Sequence, residues 1–89
     1  MQKLKDALVL ALEEARGKYS FEYDIEDTGA SVSLGADATL VVDCDEERGK
    51  YQSGIYIYDE SCNHWGYSDL NYPEFDNALD AAEFLAAAE

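Results

Sequence analysis

The fold is decided between residues 19 and 44, which read YSFEYDIEDTGASVSLGADATLVVDC. In the first eight of these residues, large apolar side chains alternate with polar or acidic ones, and a period of two is typical of a strand with one buried face. The side chains predicted to face the core are Tyr19, Phe21, Tyr23 and Ile25, and those predicted to face water are Ser20, Glu22, Asp24 and Glu26. We therefore predict an acid-faced strand over Tyr19–Asp27.

Three further strands are predicted over residues 30–34, 39–44 and 51–59, because apolar side chains recur at every second position there. In the last of them, Ile55 and Ile57 lie on the face opposite Tyr56 and Tyr58. The short, Gly- and Asp-containing connections predict an antiparallel meander. Residues 61–67 fit either a fifth, irregular edge strand or a loop, so we expect four to five strands.

Both ends of the chain carry apolar residues at helical spacing. Near the start the stripe is Leu4, Ala7, Leu8, Ala11, Leu12 and Ala15, with Gly17 as the predicted end of the helix. Near the end the stripe is Phe75, Ala78, Leu79, Ala82 and Leu85. Asn71 and Glu74 fit a capping box there, and Leu70 with Phe75 fits a hydrophobic staple. We predict a two-layer α+β domain with both helices on one sheet face.

Length and composition describe one globular domain, residues 1–89. Apolar residues make up 47% of the chain, which is enough for a modest core but leaves no room for a buried cofactor. No apolar run approaches the roughly 18 residues of a membrane span, and no basic-then-apolar signal opens the chain. We expect a cytoplasmic protein without a cofactor or a membrane partner.

Charge excludes direct binding of nucleic acid. Twenty acidic residues against six basic ones leave a net charge of −14, which repels phosphate. The charge is also uneven, since residues 1–18 carry a net +1 whereas the seventeen acidic residues from Tyr19 onward face only Arg48 and Lys50. Self-repulsion of this size destabilises a fold, so we expect the acidic surface to serve a function.

Reactive side chains are sparse. Cys62 and His64 stand two positions apart, but a thiol nucleophile needs a base that is itself oriented by a third group. Cys44, Cys62 and His64 are too scattered for the paired spacing of a zinc site. A disulfide between Cys44 and Cys62 is left open, although a cytosolic chain keeps its thiols reduced. We expect no enzymatic activity, no catalytic residues and no metal site.

One acidic turn imitates the start of a calcium-binding loop. Asp43, Asp45 and Glu47 alternate as the first ligands of an EF-hand do. Counted from Asp43, however, the required Gly and the closing Glu are replaced by Arg48 and Gly54. The motif therefore fails, and a solvated acidic turn is the simpler interpretation.

The candidate binding surface consists of carboxylates and tyrosines. Alternate positions on a strand are about 6.6 Å apart, close to the phosphate spacing along one nucleic-acid strand, so a row of acids on a strand imitates a phosphate backbone. Tyrosines within such a charged field are suited to anchoring a partner. The predicted partner-binding residues are Glu22, Asp24, Glu26, Asp43, Asp45, Glu46, Glu47, Tyr56, Tyr58, Asp59 and Glu60.

In its size, its charge and its acid-faced strand Tyr19–Asp27, the chain resembles the phage- and plasmid-encoded inhibitors that imitate DNA, including anti-CRISPR and anti-restriction proteins. The resemblance implies a non-enzymatic inhibitor that occupies the cationic nucleic-acid-binding groove of a nuclease or a CRISPR or restriction complex. A phage-encoded protein of this kind acts in the host-cell cytoplasm. The more basic first helix departs from a uniformly acidic mimic, so one acidic side is expected.

Two alternatives remain open. The chain also looks like the acidic immunity proteins that neutralise a basic nuclease toxin, whose compact patch of acids and tyrosines does not copy phosphate geometry. A third possibility is a structural or regulatory module that self-associates through Val9 and Leu10 or through an open strand edge. We expect a monomer or a weak dimer.

Overall fold

A helix at each end of the described chain packs against one antiparallel sheet in the computed structural model, which describes residues 2–88. The elements are α1 (Lys3–Tyr19), β1 (Asp24–Ile25), β2 (Gly29–Ser33), β3 (Ala38–Asp45), β4 (Lys50–Asp59), β5 (His64–Ser68), β6 (Glu74–Phe75) and α2 (Ala78–Ala87). The α+β class and the meander predicted from the sequence are confirmed, with six strands within residues 2–88.

The first five strands lie side by side in chain order. β4 is long enough to pair with two strands along the same edge: β6 pairs with its first half, at Tyr51 and Gln52, and β5 with its second half, from Ile55 to Asp59. Of residues 61–67, which fit either an edge strand or a loop in sequence, those from His64 onward form β5 and the preceding ones form the turn. This placement makes β4 and β5 a hairpin whose outer strand is exposed at every residue.

The core lies between the helices and one face of the sheet. Leu8 and Leu12 of α1 and Leu85 of α2 are completely buried, as the helical stripes predict. They meet Val42 and Tyr51 on the sheet, where the Tyr51 hydroxyl donates to the Leu4 carbonyl at 2.8 Å. Each fully buried leucine contributes about 1.5–3 kcal/mol relative to exposure, so these three residues are a substantial part of the stability of the domain.

The first helix ends later, and the acid-faced strand is shorter, than the sequence predicts. α1 continues through Gly17 to Tyr19, and Ser20 adopts a left-handed conformation (φ 50°) with its N–H bonded to the Arg16 carbonyl at 3.2 Å. Of the predicted strand Tyr19–Asp27, only Asp24–Ile25 pairs with a neighbour. The predicted end at Gly17 is wrong because Ser20 tolerates the left-handed turn that Gly usually supplies.

The second helix begins later than the predicted capping box. Asn77 caps α2 by accepting a hydrogen bond from the Asp80 N–H at 2.9 Å, whereas Asn71 is in a left-handed conformation (φ 66°). Pro73 and the residues after it are drawn onto the sheet, where the Pro73 carbonyl accepts the backbone N–H of Ser53 at 3.2 Å. The predicted staple is also wrong, because Leu70 is 75% exposed.

The helical layer leaves the far end of β4 uncovered. Ile55 is half-buried and Ile57 is 52% exposed, although both point to the helix side of the sheet. The two helices thus cover β2, β3 and the first half of β4, and the β4–β5 hairpin projects beyond them.

On α1, Leu10 is 65% exposed and Val9 is half-buried.

Candidate functional site

The sheet face that points away from the helices, called the open face below, carries both carboxylates and aromatic rings. Residues directly opposite one another in an antiparallel pair share a face. The register aligns Asp24 with Ser31, Ser31 with Val41, Val41 with Gly54, Thr39 with Tyr56, Tyr56 with Tyr67, and Tyr58 with Trp65. Asp43 lies on the same face, since it is opposite Gln52 and two positions beyond Val41.

Two cross-strand aromatic pairs cover the β4–β5 side of the open face. The rings of Tyr56 and Tyr67 have centroids 4.8 Å apart at 48°, and those of Tyr58 and Trp65 are 5.5 Å apart at 58°. Tilted pairs of this kind contribute about 0.5–1.5 kcal/mol beyond their burial, so they hold the rings in place. Tyr56 and Trp65 nevertheless remain 40% and 46% exposed, available to a partner.

Two carboxylates occupy the β1–β3 side of the same face. Glu26 Oε1 accepts a hydrogen bond from the Ser31 hydroxyl at 2.9 Å, and Asp43 Oδ1 accepts one from the Thr28 hydroxyl at 3.0 Å. Neutral hydroxyls orient these groups without cancelling their charge. Burial raises the pKa of Tyr67, and the negative charge of Asp43 raises it further, so Tyr67 keeps its proton beside the carboxylate.

Carboxylates and rings meet around a shallow cavity of about 620 Å³ on the open face. Its floor is formed by β2 and β3, where Ser31 and Val41 are almost fully buried. Glu26 and Asp43 line one side, and Tyr56 and Trp65 line the other. The cavity therefore combines negative charge with aromatic faces over a floor of small, mostly uncharged side chains.

Charged residues are distributed unequally between the two helices and the rest of the chain. The two helices together carry four basic and five acidic residues, whereas residues 20–77 carry fourteen acidic and only two basic ones. Those two are engaged at the β6 edge: Arg48 binds Glu74 through both carboxylate oxygens, at 2.6 and 3.1 Å, and Lys50 binds Asp76. Arg48 thereby lowers the pKa of Glu74. The net charge thus resides on the sheet and its turns.

Most predicted acids are exposed, but they do not form one continuous row. Glu22, Asp24 and Glu26 are exposed in or beside β1, and Glu26, whose N–H donates to the carbonyl of Gly29 opposite Asp43, is the nearest of them to Asp43. Asp59 lies seven positions along β4 from the residue opposite Asp43, about 23 Å at 3.3 Å per residue. Asp59 and its neighbour Glu60 therefore belong to the opposite end of the sheet.

Three predicted acids lie in or next to the β3–β4 turn, and two of them have internal partners. Both Glu46 carboxylate oxygens accept the N–H of Leu4 at 3.1 Å, and one also accepts the N–H of Lys5 at 3.2 Å. A negative charge at this position stabilises the positive end of α1. Asp45 accepts the backbone N–H of Arg48 at 3.1 Å and pairs with its guanidinium at 3.8 Å. Glu47 is exposed.

At the other end of the hairpin, the predicted residues are held by local contacts. Asp59 accepts the N–H and the hydroxyl of Ser61 at 2.9 and 2.6 Å, and these bonds lower its pKa. The Tyr58 hydroxyl donates to the side-chain oxygen of Asn63. These contacts order the β4–β5 turn and orient the Tyr58 ring toward Trp65.

Trp65 and Tyr67 belong to the site although the sequence did not single them out. Their own alternation across Gly66 is a weak strand signal. Only the register with Tyr58 and Tyr56 shows that they share the open face. A prediction that paired residues 64–68 with β4 would have found them.

The two cysteines are far apart and free. Cys44 lies opposite Tyr51, and Cys62 follows the far end of β4, so more than eight residues of strand, about 26 Å, separate their positions. A disulfide needs Cα atoms within about 7 Å, so these two do not pair. Burial raises the pKa of Cys44 to about 11. Within residues 2–88 no group of three or more metal-ligating side chains comes together.

Comparison of the chain with protein-family models, curated proteins and solved structures found no match. Among residues 2–88, neither helix has the length and the apolar character that a membrane crossing requires.

Proposed function

We propose that this protein is a non-enzymatic inhibitor that binds the cationic nucleic-acid-binding surface of a nuclease, or of a CRISPR or restriction complex, through its open face. The observation that carries the proposal is the separation of charge by layer. Fourteen of the twenty acidic residues lie in residues 20–77, while the four basic residues outside this segment lie in α1. A molecule charged in this way presents one strongly negative side to a cationic groove.

A net charge of this size affects the rate of association with a partner as well as the affinity. The accessible surface of 5605 Å² divided among 14 net charges gives about 400 Å² per charge for the whole molecule. Residues 20–77 combine fourteen acidic with only two basic residues, so the density of negative charge on the sheet and its turns is higher than this average. Such a field steers an oppositely charged partner and accelerates association at low salt.

The aromatic rings supply the contacts that charge alone does not. Tyr56, Trp65 and Tyr67 are each 40–46% exposed on the open face, and Tyr56 and Trp65 line the same cavity as Asp43. Tyrosine and tryptophan are enriched among the residues that dominate binding energy in protein interfaces. Steering by carboxylates and anchoring by rings therefore operate on the same surface.

A second candidate function is neutralisation of one basic nuclease toxin, as an immunity protein does. Two observations favour it: the rings and carboxylates form a compact patch, and the predicted row of acids is interrupted before Asp59 and Glu60. Such an interface depends on shape and rings more than on phosphate-like spacing. Its affinity should fall less steeply with salt than that of a broad DNA mimic.

Both functions place the protein in the cytoplasm. Cys62 is exposed and Cys44 is half-buried, and both thiols are free. Free, exposed thiols persist in a reducing compartment. If the chain is encoded by a phage, that compartment is the cytoplasm of the host.

Capture from host lysate, followed by mass spectrometry at low and high salt, tests the proposal. We expect a basic nucleic-acid-binding protein that is displaced by added duplex DNA. Capture that survives high salt but is still displaced by DNA favours the toxin inhibitor. Enrichment of partners without a cationic nucleic-acid-binding surface, indifferent to added DNA, would contradict both functions.

A further inference from the structure

The side chains that line the cavity on the open face, carboxylates and aromatic rings, are those that bind a planar cation. Its carboxylates come from the β1–β2 connection and from β3, and its rings come from β4 and β5, so the two chemistries face each other across the sheet. Val41, 6% exposed, forms part of the floor. Four separate segments of chain thus converge on one concavity, which distinguishes it from a merely acidic stretch of surface.

The carboxylates are oriented yet retain accepting capacity. Ser31 and Thr28 each donate to one oxygen, Glu26 Oε1 and Asp43 Oδ1. Within residues 2–88, the second oxygen of each carboxylate accepts no side-chain or backbone hydrogen bond, and no lysine or arginine pairs with either group. Each group is therefore fixed in direction by a neutral donor and is left with its charge and one open oxygen.

We infer that this cavity receives the guanidinium side chain of an arginine supplied by the partner protein. The inference rests on the proposed function, which requires a cationic partner, and it names the group that the site recognises. Glu26 and Asp43 accept hydrogen bonds from the guanidinium, the ring of Tyr56 stacks on its plane, and Val41 contacts the methylene stem.

Arginine fits these walls better than lysine does. A guanidinium presents several donors in a rigid plane, so it can bond to a carboxylate and stack on an aromatic ring at once. An ammonium group is a compact, strongly hydrated point charge with no flat face. A cavity with carboxylates on one side and rings on the other uses both properties of arginine.

The test uses the fluorescence of Trp65, the only tryptophan of the chain, because it lines the cavity. The protein is titrated with N-acetyl-arginine amide, N-acetyl-lysine amide and N-acetyl-citrulline amide at constant ionic strength. We expect a saturable change with the arginine probe, about tenfold weaker binding of the lysine probe, and none of the uncharged citrulline isostere. Equal responses to arginine and citrulline, or no saturable response to arginine, would overturn the inference.

Two variants locate the binding. Asp43→Asn with Glu26→Gln removes two charges from the cavity, and Glu13→Gln with Glu14→Gln removes two from the exposed side of α1. We expect the first pair to weaken arginine binding at least about tenfold and the second to leave it unchanged. Equal weakening by both pairs would show a general charge effect and refute the site. Far-UV circular dichroism confirms that each variant is folded, and the probe series on the wild-type chain needs no variant.

The arginine titration and the lysate capture can fail independently, so the test of the arginine site is distinct from the test of the proposed function. If lysate capture of a basic nucleic-acid-binding protein succeeds while the arginine probe fails, the inhibitor stands and the arginine site is wrong. If the probe binds but no such protein is captured, the site stands and the proposed function is wrong.

Discussion

The ring of Tyr67 lies directly over Gly54 on the neighbouring strand. A Cβ at position 54 would come within 2.7 Å of the Tyr67 ring carbons, so only glycine allows the ring to rest on the backbone of β4. The phenol is thereby held beside Tyr56, with ring centroids 4.8 Å apart, and within the field of Asp43. One residue without a side chain thus shapes the aromatic half of the open face.

Replacement of Gly54 by alanine should displace the Tyr67 ring and destabilise the domain by about 1–3 kcal/mol, the usual cost of overpacking. Urea unfolding followed by circular dichroism measures the change, and the near-UV spectrum reports the ring. Gly17→Ala is the matched control, because a Cβ there meets nothing within 4 Å and alanine favours the helix. Gly17→Ala should therefore be neutral or stabilising. Equal stability of Gly54→Ala and the wild type would show that the ring moves without cost.

Loss of the Glu46 carboxylate should weaken the first turn of α1. Glu46→Ala removes the acceptor of the Leu4 and Lys5 N–H groups and the charge that faces the helix end, so we expect a loss of about 1 kcal/mol. Glu47→Ala, an exposed neighbour in the same turn, is the control and should change stability by less than about 0.5 kcal/mol. The assigned cap is wrong if the two variants unfold at the same urea concentration.

Stability should fall in alkaline solution because of Tyr51. Burial raises the pKa of Tyr51 from 10.0 to about 12. Between these values the unfolded chain loses the proton while the folded chain keeps it, so the free energy of unfolding should decrease by about 1.4 kcal/mol per pH unit. Below pH 10 both states hold the proton, and this effect is absent.

Urea unfolding at pH 8, 10 and 11 measures that dependence, and Tyr51→Phe identifies its source. The variant loses the hydrogen bond to Leu4, so its stability is lower at every pH, but its decline above pH 10 should be shallower. Cys44, whose pKa is raised from 9.0 to about 11, adds a decline of similar slope that begins at about pH 9 and that both proteins share. Parallel pH profiles of the two proteins would contradict the role of Tyr51.

The two thiols should react at very different rates. A pKa raised from 9.0 to about 11 and partial burial leave Cys44 with about one hundredth of its ordinary thiolate at pH 8, whereas Cys62 is exposed. A thiol-specific chromogenic disulfide should therefore label one cysteine rapidly and the second only on unfolding. Cys62→Ser should abolish the rapid phase and Cys44→Ser should retain it. Two rapid phases in the native protein would contradict the burial of Cys44.

The helical stripes and the meander were predictable because each depends on a period within a short segment. Leu8 and Leu12 repeat at helical spacing, and Ile55 and Tyr56 alternate as a strand requires. The residues at which the helices begin and end were harder to predict from the sequence. Asn77 caps α2 in place of the predicted Asn71, because residues 73–75 are held on the sheet, in part by a hydrogen bond from Ser53 to Pro73 that the local sequence does not encode.

The binding surface was predictable only in part. The open-face position of Tyr56 follows from alternation, but its pairing with Tyr67 depends on the β4–β5 register. Glu46 is 42 positions from the helix start that it caps, and nothing near either residue signals the contact. Acids with internal partners and acids free to bind another protein look alike in a sequence, and tertiary structure separates them.

The most direct test of the account is the affinity of two charge-reversed variants for the protein captured from lysate. One carries Glu22→Lys, Asp24→Lys and Glu26→Lys on the β1 edge, and the other carries Asp6→Lys, Glu13→Lys and Glu14→Lys on α1, where all three are exposed. Both change the net charge equally. We expect the first to abolish binding with an intact far-UV spectrum and the second to retain most of the affinity. Equal affinities of the two variants would contradict a binding surface on the acidic side of the sheet.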